Sequence, residues 1–152
     1  MSITAAGWYG KTLQKMLSAA SLPAGGLDSE TAVKVLLVTD SYTPDYTNHD
    51  FRDDITGEVP NGNGYTTGGN LLTGTTLTVA SGLLTWDAAN TQWVSSTITD
   101  AMAAVCYFAR GGAASADELI LLADFVTPVS TVAGTLDLQW AAAGIGTWDF
   151  TP

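Results

Sequence analysis

Acid–base and nucleophilic chemistry needs side chains whose protonation can be tuned and aimed at a common point. His49 is the only histidine in the chain. A histidine-rich metal site is therefore excluded, and a nucleophilic triad has a single imidazole to draw on. His49 stands in an acidic stretch with Asp45, Asp50, Asp53, Asp54 and Glu58. Hard cations seek several carboxylate oxygens, so this stretch admits an irregular calcium loop. The EF-hand pattern fails: counting from Asp45, Asp50 stands where glycine makes the sharp turn and Thr56 where a glutamate closes the site. The blander alternative is a solvated acidic turn, with Arg52 paired to a neighbour and His49 hydrogen-bonded in a loop.

Other reactive patterns are missing from the sequence. It contains no Gly-x-Ser-x-Gly elbow, no Gly-x-x-x-x-Gly-Lys phosphate loop and no Gly-x-Gly-x-x-Gly after a strand. Asn61-Gly62-Asn63-Gly64 is turn chemistry, since both residue types tolerate positive φ. With 15 acids in the chain, a pair of carboxylates is no sign of a glycosidase. Trp8, Trp86, Trp93, Trp140 and Trp148 can stack on sugars, but in β-proteins tryptophan more often anchors a core or an interface. The expectation is a protein that is not an enzyme, with no catalytic, cofactor or metal site. A carbohydrate-binding module is the competitor from another class.

Charge narrows the partners. The net charge is −10, yet residues 1–16 carry Lys11 and Lys15 and no acid. The remainder sets Lys34, Arg52 and Arg110 against all 15 acids, a charge of −12. Such a body repels phosphate backbones, so nucleic-acid binding is not expected. The short basic segment suits an acidic protein surface, or is simply a solvated helix face. Cys106 is the lone cysteine and lies in the apolar run Ala101–Ala109, which marks a buried thiol. That run is far short of the ~20 residues that cross a bilayer, so no membrane association is expected. Met1-Ser2-Ile3-Thr4 lacks the basic start and apolar stretch of a signal peptide, which leads us to expect folding in a reducing, soluble compartment.

The elements that must position these residues come next. Residues 8–20 read as a short amphipathic helix, with Trp8 or Tyr9, Leu13, Met16, Leu17 and Ala20 on one face and Lys11, Gln14, Lys15 and Ser18 opposite. Pro23 and Gly25-Gly26 end it. So short a helix needs a partner surface, either its own domain or another subunit. Val33–Thr39 is β-branched and apolar, a buried strand. Asn48 is placed to cap a helical turn over His49–Ile55. Thr76–Ala80 alternates, with Leu77 and Val79 on one face. Leu83–Trp86, Thr135–Trp140 and Ile145–Phe150 read as further strands, the last with Trp148 and Phe150 on one side. Ile98–Ala109 and Glu118–Phe125 fit helix or strand; the cluster Val105-Cys106-Tyr107-Phe108 and the short lengths favour buried strands. The fold class expected is mainly β, an antiparallel β-sandwich of jelly-roll or Ig-like type over 31–152, preceded by an arm with a short helix over 1–30.

Two stretches carry a resemblance. Val33–Ile55, with Ser41-Tyr42-Thr43-Pro44 and Asn48-His49-Asp50-Phe51 inside it, is followed by Glu58-Val59 and Gly64-Tyr65-Thr66-Thr67-Gly68-Gly69. Further landmarks are Trp93-x-x-Ser96-Thr97-Ile98-Thr99, Val105–Phe108, Asp124-Phe125 and Gly134-Thr135 before Trp140. Over about residues 33–145 the chain resembles small virion structural proteins of tailed bacteriophages. The resemblance implies a virion location after assembly in the host cytoplasm, and a head role such as decoration or cement. The implied partners are the major capsid protein or other virion proteins, with copies of the chain associating on the particle. A tail, connector or fibre-base component is the alternative within that setting. The resemblance supplies no catalytic residue. On physical grounds Trp8, Tyr9, Leu13, Met16 and Leu17, flanked by Lys11 and Lys15, are the docking candidates, and an exposed edge strand is a second contact. Against this, the helix can simply cap its own sandwich.

Overall fold

The computed structural model describes residues 3, 5–18, 21–149 and 151. Strand β1 (Ala5–Trp8) leads directly into helix α1 (Gly10–Leu17), and β2 (Val33–Val38) follows after a turn. The rest of the chain is β3 (Asn70–Leu71), β4 (Thr76–Ala80), β5 (Leu83–Asp87), β6 (Thr91–Ser96), β7 (Ala101–Phe108), β8 (Leu119–Val129), β9 (Gly134–Leu138) and β10 (Gly146–Asp149). These form a five-stranded sheet in the order β1-β8-β7-β2-β3, a three-stranded sheet β10-β5-β4 and the pair β6-β9. Every pairing among these strands is antiparallel. The architecture is mainly β and sandwich-like, with one short helix near the N-terminus.

The large sheet is covered on both faces, which explains its unbroken apolar runs. From β2, Val33, Val35 and Leu37 join one core with Ala104, Cys106 and Phe108 of β7. That core also holds Trp86, Trp93, Leu136 and Leu138, the inner residues of the second layer. Leu36 and Val38 point the other way, with Val105 and Tyr107, into a smaller core closed by Tyr9, Tyr42 and Ile55. The loop between β2 and β3 thus serves as a lid on the second face. Both segments that fit helix or strand contain strands of this sheet, β7 and β8, with one face buried against the second layer and the other beneath the lid loop.

Several expectations change. Before the helix, β1 pairs with β8 from Ala5↔Asp124 to Trp8↔Leu121, and the Tyr9 N–H continues the ladder to the Ile120 carbonyl. The helix spans only Gly10–Leu17, since Trp8 belongs to the strand. Ala20 and Phe150 lie outside the described residues. Asn48 caps nothing. Its backbone and side-chain N–H groups are drawn to the Asp45 carboxylate, and the helical turn is only Arg52–Asp54. There Asp54 accepts from the Asp50 and Phe51 N–H groups, which fixes the entry to the turn. The last β9 residue is Leu138, so Trp140 packs from beyond the strand end.

Candidate functional site

Helix α1 is amphipathic, as its sequence requires, but its apolar side is only partly covered. Leu13 and Met16 are half-buried, and Leu17 is 81% exposed. The helix is held from its other side. Lys15 Nζ donates to Glu118 Oε1 at 2.7 Å and lies 5.1 Å from the Phe51 ring centroid. Arg110 grips the same carboxylate through Nε at 2.8 Å and Nη2 at 2.7 Å, and Nη2 also donates to the Ser21 carbonyl. Glu118 therefore fixes the helix through Lys15 and the chain after the helix through Arg110. Burial pushes the Glu118 carboxyl up, but the hydrogen bonds from Arg110 and Lys15 outweigh it and hold it below the ordinary glutamate range.

Beyond the helix the chain turns at Gly25 and Gly26, both at positive φ, and tucks Leu27 beneath. The Leu27 carbonyl accepts the Trp86 indole N–H at 2.9 Å inside the core. This return builds one wall of an apolar groove from Leu13, Met16, Leu17, Leu22 and Leu27. The opposite wall is the inner face of the three-stranded sheet: Leu77 of β4, Leu84 of β5 and Trp148 of β10. Trp148 stacks on Trp8 at 4.1 Å between ring centroids, and Trp8 meets Trp86 at 5.7 Å. Gly146 makes this stack possible, because a Cβ there would collide with the Trp8 ring. The groove encloses about 440 Å³, and none of its lining residues is ionisable.

A second hollow of about 300 Å³ lies on the other side of the helix, lined by Lys11, Thr12, Gln14, Lys15, Asp50 and Glu118 among others. It mixes both charge signs, and Thr12 Oγ1 is buried there without a hydrogen-bond partner.

The acidic stretch is spent on its own loop. Asp45 takes the Thr47 and Asn48 N–H groups, Asp54 those of Asp50 and Phe51, and Glu58 accepts from the Tyr65 hydroxyl and the Gly68 N–H. Among the described residues no three His, Cys, Asp or Glu side chains gather around one point. Arg52 reaches past its sequence neighbours to Asp117 at 2.9 Å. His49 Nδ1 meets the Tyr42 hydroxyl at 2.9 Å, and Tyr42 in turn meets the Tyr9 hydroxyl at 2.8 Å. This chain ties the start of the helix to the lid loop. Burial pushes the Cys106 thiol far up, so the thiolate is not formed at neutral pH.

The seven docking candidates separate in space. Leu13, Met16 and Leu17 line the groove together. Lys11 is exposed on the far side of the helix, and Lys15 is turned to Glu118. Tyr9 is wholly buried and Trp8 is committed to the tryptophan stack, so both serve the chain's own core because β1 carries them into the large sheet. Leu22, Leu27, Leu77, Leu84 and Trp148 complete the groove and were not singled out for docking from the sequence. Leu77 had a signal in its alternation with Val79; the others are brought in by pairings that sequence does not display. Trp86, Trp93 and Trp140 are buried and Trp8 and Trp148 half-buried, with Trp148 the tryptophan that lines the groove.

The fold and the groove thus define a mainly-β domain with an apolar, uncharged cleft beside its N-terminal helix. Comparison with protein-family models, with curated proteins and with solved structures finds no match.

Proposed function

We propose that this chain is a structural protein of a tailed-bacteriophage particle, a head decoration or minor capsid protein whose groove takes an apolar segment of the major capsid protein. The observation that carries the docking role is the groove itself: open, free of ionisable side chains and rimmed by exposed Leu17 and Leu77 on a chain of net charge −10. An acidic protein that must bind another protein does so best where its own charge is absent and apolar surface is on offer. Burying each leucine adds about 1.5–3 kcal/mol. That is modest for one copy, and many copies on a lattice raise it by avidity. The virion setting is supported by the residues quoted above, and two of its most specific pieces, Ser41–Pro44 and Asn48–Phe51, lie in or beside the lid loop that shields the second core.

The test is to purify the particle and measure this chain against the major capsid protein by quantitative mass spectrometry. A copy number comparable with the shell subunit fits decoration. A single ring's worth would move the chain to the portal, tail or fibre base. Leu17→Asp with Leu77→Asp should abolish incorporation while leaving the unfolding midpoint nearly unchanged. Normal incorporation of that double variant would rule the groove out.

A further inference from the structure

We infer that strand β4 is a self-pairing edge, joining a second copy of this chain antiparallel across a two-fold axis at Thr78. β4 is the end strand of its sheet, and all five of its residues are exposed. Its hairpin with β5 closes through Ser81 and Gly82 at φ of 51° and 78°, the pair of left-handed residues that a type I′ turn needs. A two-residue turn makes Ala80–Leu83, Thr78–Thr85 and Thr76–Asp87 the pairs that exchange backbone hydrogen bonds. The N–H and C=O groups of Leu77 and Val79 consequently face away from β5. Among the described residues neither finds a backbone partner elsewhere.

Three features identify the occupant as another copy. First, the strand reads alike in both directions: about Thr78, Leu77 meets Val79 of the second copy and Thr76 meets Ala80. In that register the residues with free backbone groups pair with each other, giving four new ladder bonds. Second, no Asp, Glu, Lys, Arg or His occurs in the sequence between Glu58 and Asp87. Two chains of net charge −10 repel elsewhere, whereas β4 brings no charge of its own to the edge, and the carboxylates of Asp87 and Glu30 stand only at its Thr76 end. Third, β4 lacks the devices that usually block edge pairing, having no proline, charge or bulge. The pair β6-β9, by contrast, is interrupted by a bulge and carries Asp137. The product is one continuous sheet, β10-β5-β4 joined to its symmetry mate. Leu77 and Val79 of both copies then share a face, so the two grooves open on the same side.

The test uses the purified full-length chain and stands apart from any role in a particle. A non-hydrogen-bonded antiparallel pair brings its Cα atoms to about 4.5 Å, within disulfide reach. Thr78→Cys should therefore cross-link to a covalent dimer under mild oxidant roughly tenfold or more faster than Thr147→Cys, an exposed threonine on the opposite edge strand of the same sheet. Native Cys106 is buried and does not compete. Adding Val79→Pro removes only an outward-facing N–H and should return cross-linking to the control rate. Leu77→Lys with Val79→Lys should do the same if the proline variant unfolds. Cross-linking of Thr78→Cys no faster than Thr147→Cys would overturn the proposal. So would fast cross-linking that survives both edge-blocking changes, because the contact would then not be a β-ladder.

Discussion

The five-stranded and three-stranded sheets are built from the same kinds of residue and treat them in opposite ways. In β2 and β7 almost every side chain is buried, on one face against the second layer and on the other beneath the lid loop. In β4 no side chain is buried, although Leu77 and Val79 alternate with threonine as in any half-buried strand. Val79 is 68% exposed. The large sheet holds the fold together, and the small one carries surface that the chain does not cover for itself. Apolar residues in a strand pattern therefore mark burial only where some other element supplies the second side.

Substitutions should expose that division. Phe108→Ala, wholly buried at the end of the middle strand of the large sheet, should cost about 3–5 kcal/mol in urea unfolding, because a rigid core leaves most of the cavity unfilled. A loss below about 1 kcal/mol would mean that the large sheet is not the stabilising layer. Glu118→Gln should cost about 1–3 kcal/mol, less than a fully buried ion pair because Lys15 and Arg110 are about one-third exposed. Hydrogen exchange should localise that loss to α1, and uniform exchange across the sheet would contradict the clamp.

The same carboxylate sets an acid limit. Its folded-state pKa is depressed, so its stabilisation is complete above the unfolded glutamate value near ~4.3 and fades as pH falls through the folded one. Unfolding midpoints from pH 6 to 2 should fall less steeply in Glu118→Gln than in the parent. At the alkaline end the sign reverses. Burial pushes Tyr107 up to about 12 and raises Tyr9 and Tyr65 as well, so their contribution holds below the unfolded value near ~10 and is lost above it. Tyrosine ionisation followed by absorbance should coincide with loss of near-ultraviolet circular dichroism. The smallest effect belongs to the open sheet. Val79→Lys should move the stability of the dilute monomer by no more than about 0.5 kcal/mol, since it exchanges one exposed side chain for another.

Much of this was legible in the sequence, and the rest fails for identifiable reasons. β2, β4 and β7 declare themselves through β-branched or aromatic residues, and Pro23 with Gly25-Gly26 marks the break after the helix. β1 does not: Ala5-Ala6-Gly7 has no strand propensity, and its pairing is imposed by β8, more than a hundred residues away. Glu118 was legible only as part of an ambiguous apolar stretch, because its partners Lys15 and Arg110 meet it through tertiary packing. The docking face of α1 was visible as Leu13, Met16 and Leu17. Trp8 and Tyr9 share helical spacing with them, but the strand runs to Trp8 and the helix starts only at Gly10. The groove's far wall comes from three strands, and no local pattern announces which of their apolar residues remain uncovered.

The pairing of β1 with β8 also sets a clock. A ribosome adds about 5–20 residues per second, so Trp8 waits roughly 6–23 s before its partner Leu121 has been made. The β4–β5 hairpin, by contrast, closes within microseconds of its own synthesis. Over roughly the last third of that interval, from Asp87 to Leu121, the nascent chain displays a finished hairpin with an open edge while the sheet that will anchor it is still incomplete. On a polysome, successive nascent chains pass through that state one behind another, and their exposed edges lie close together before folding is finished.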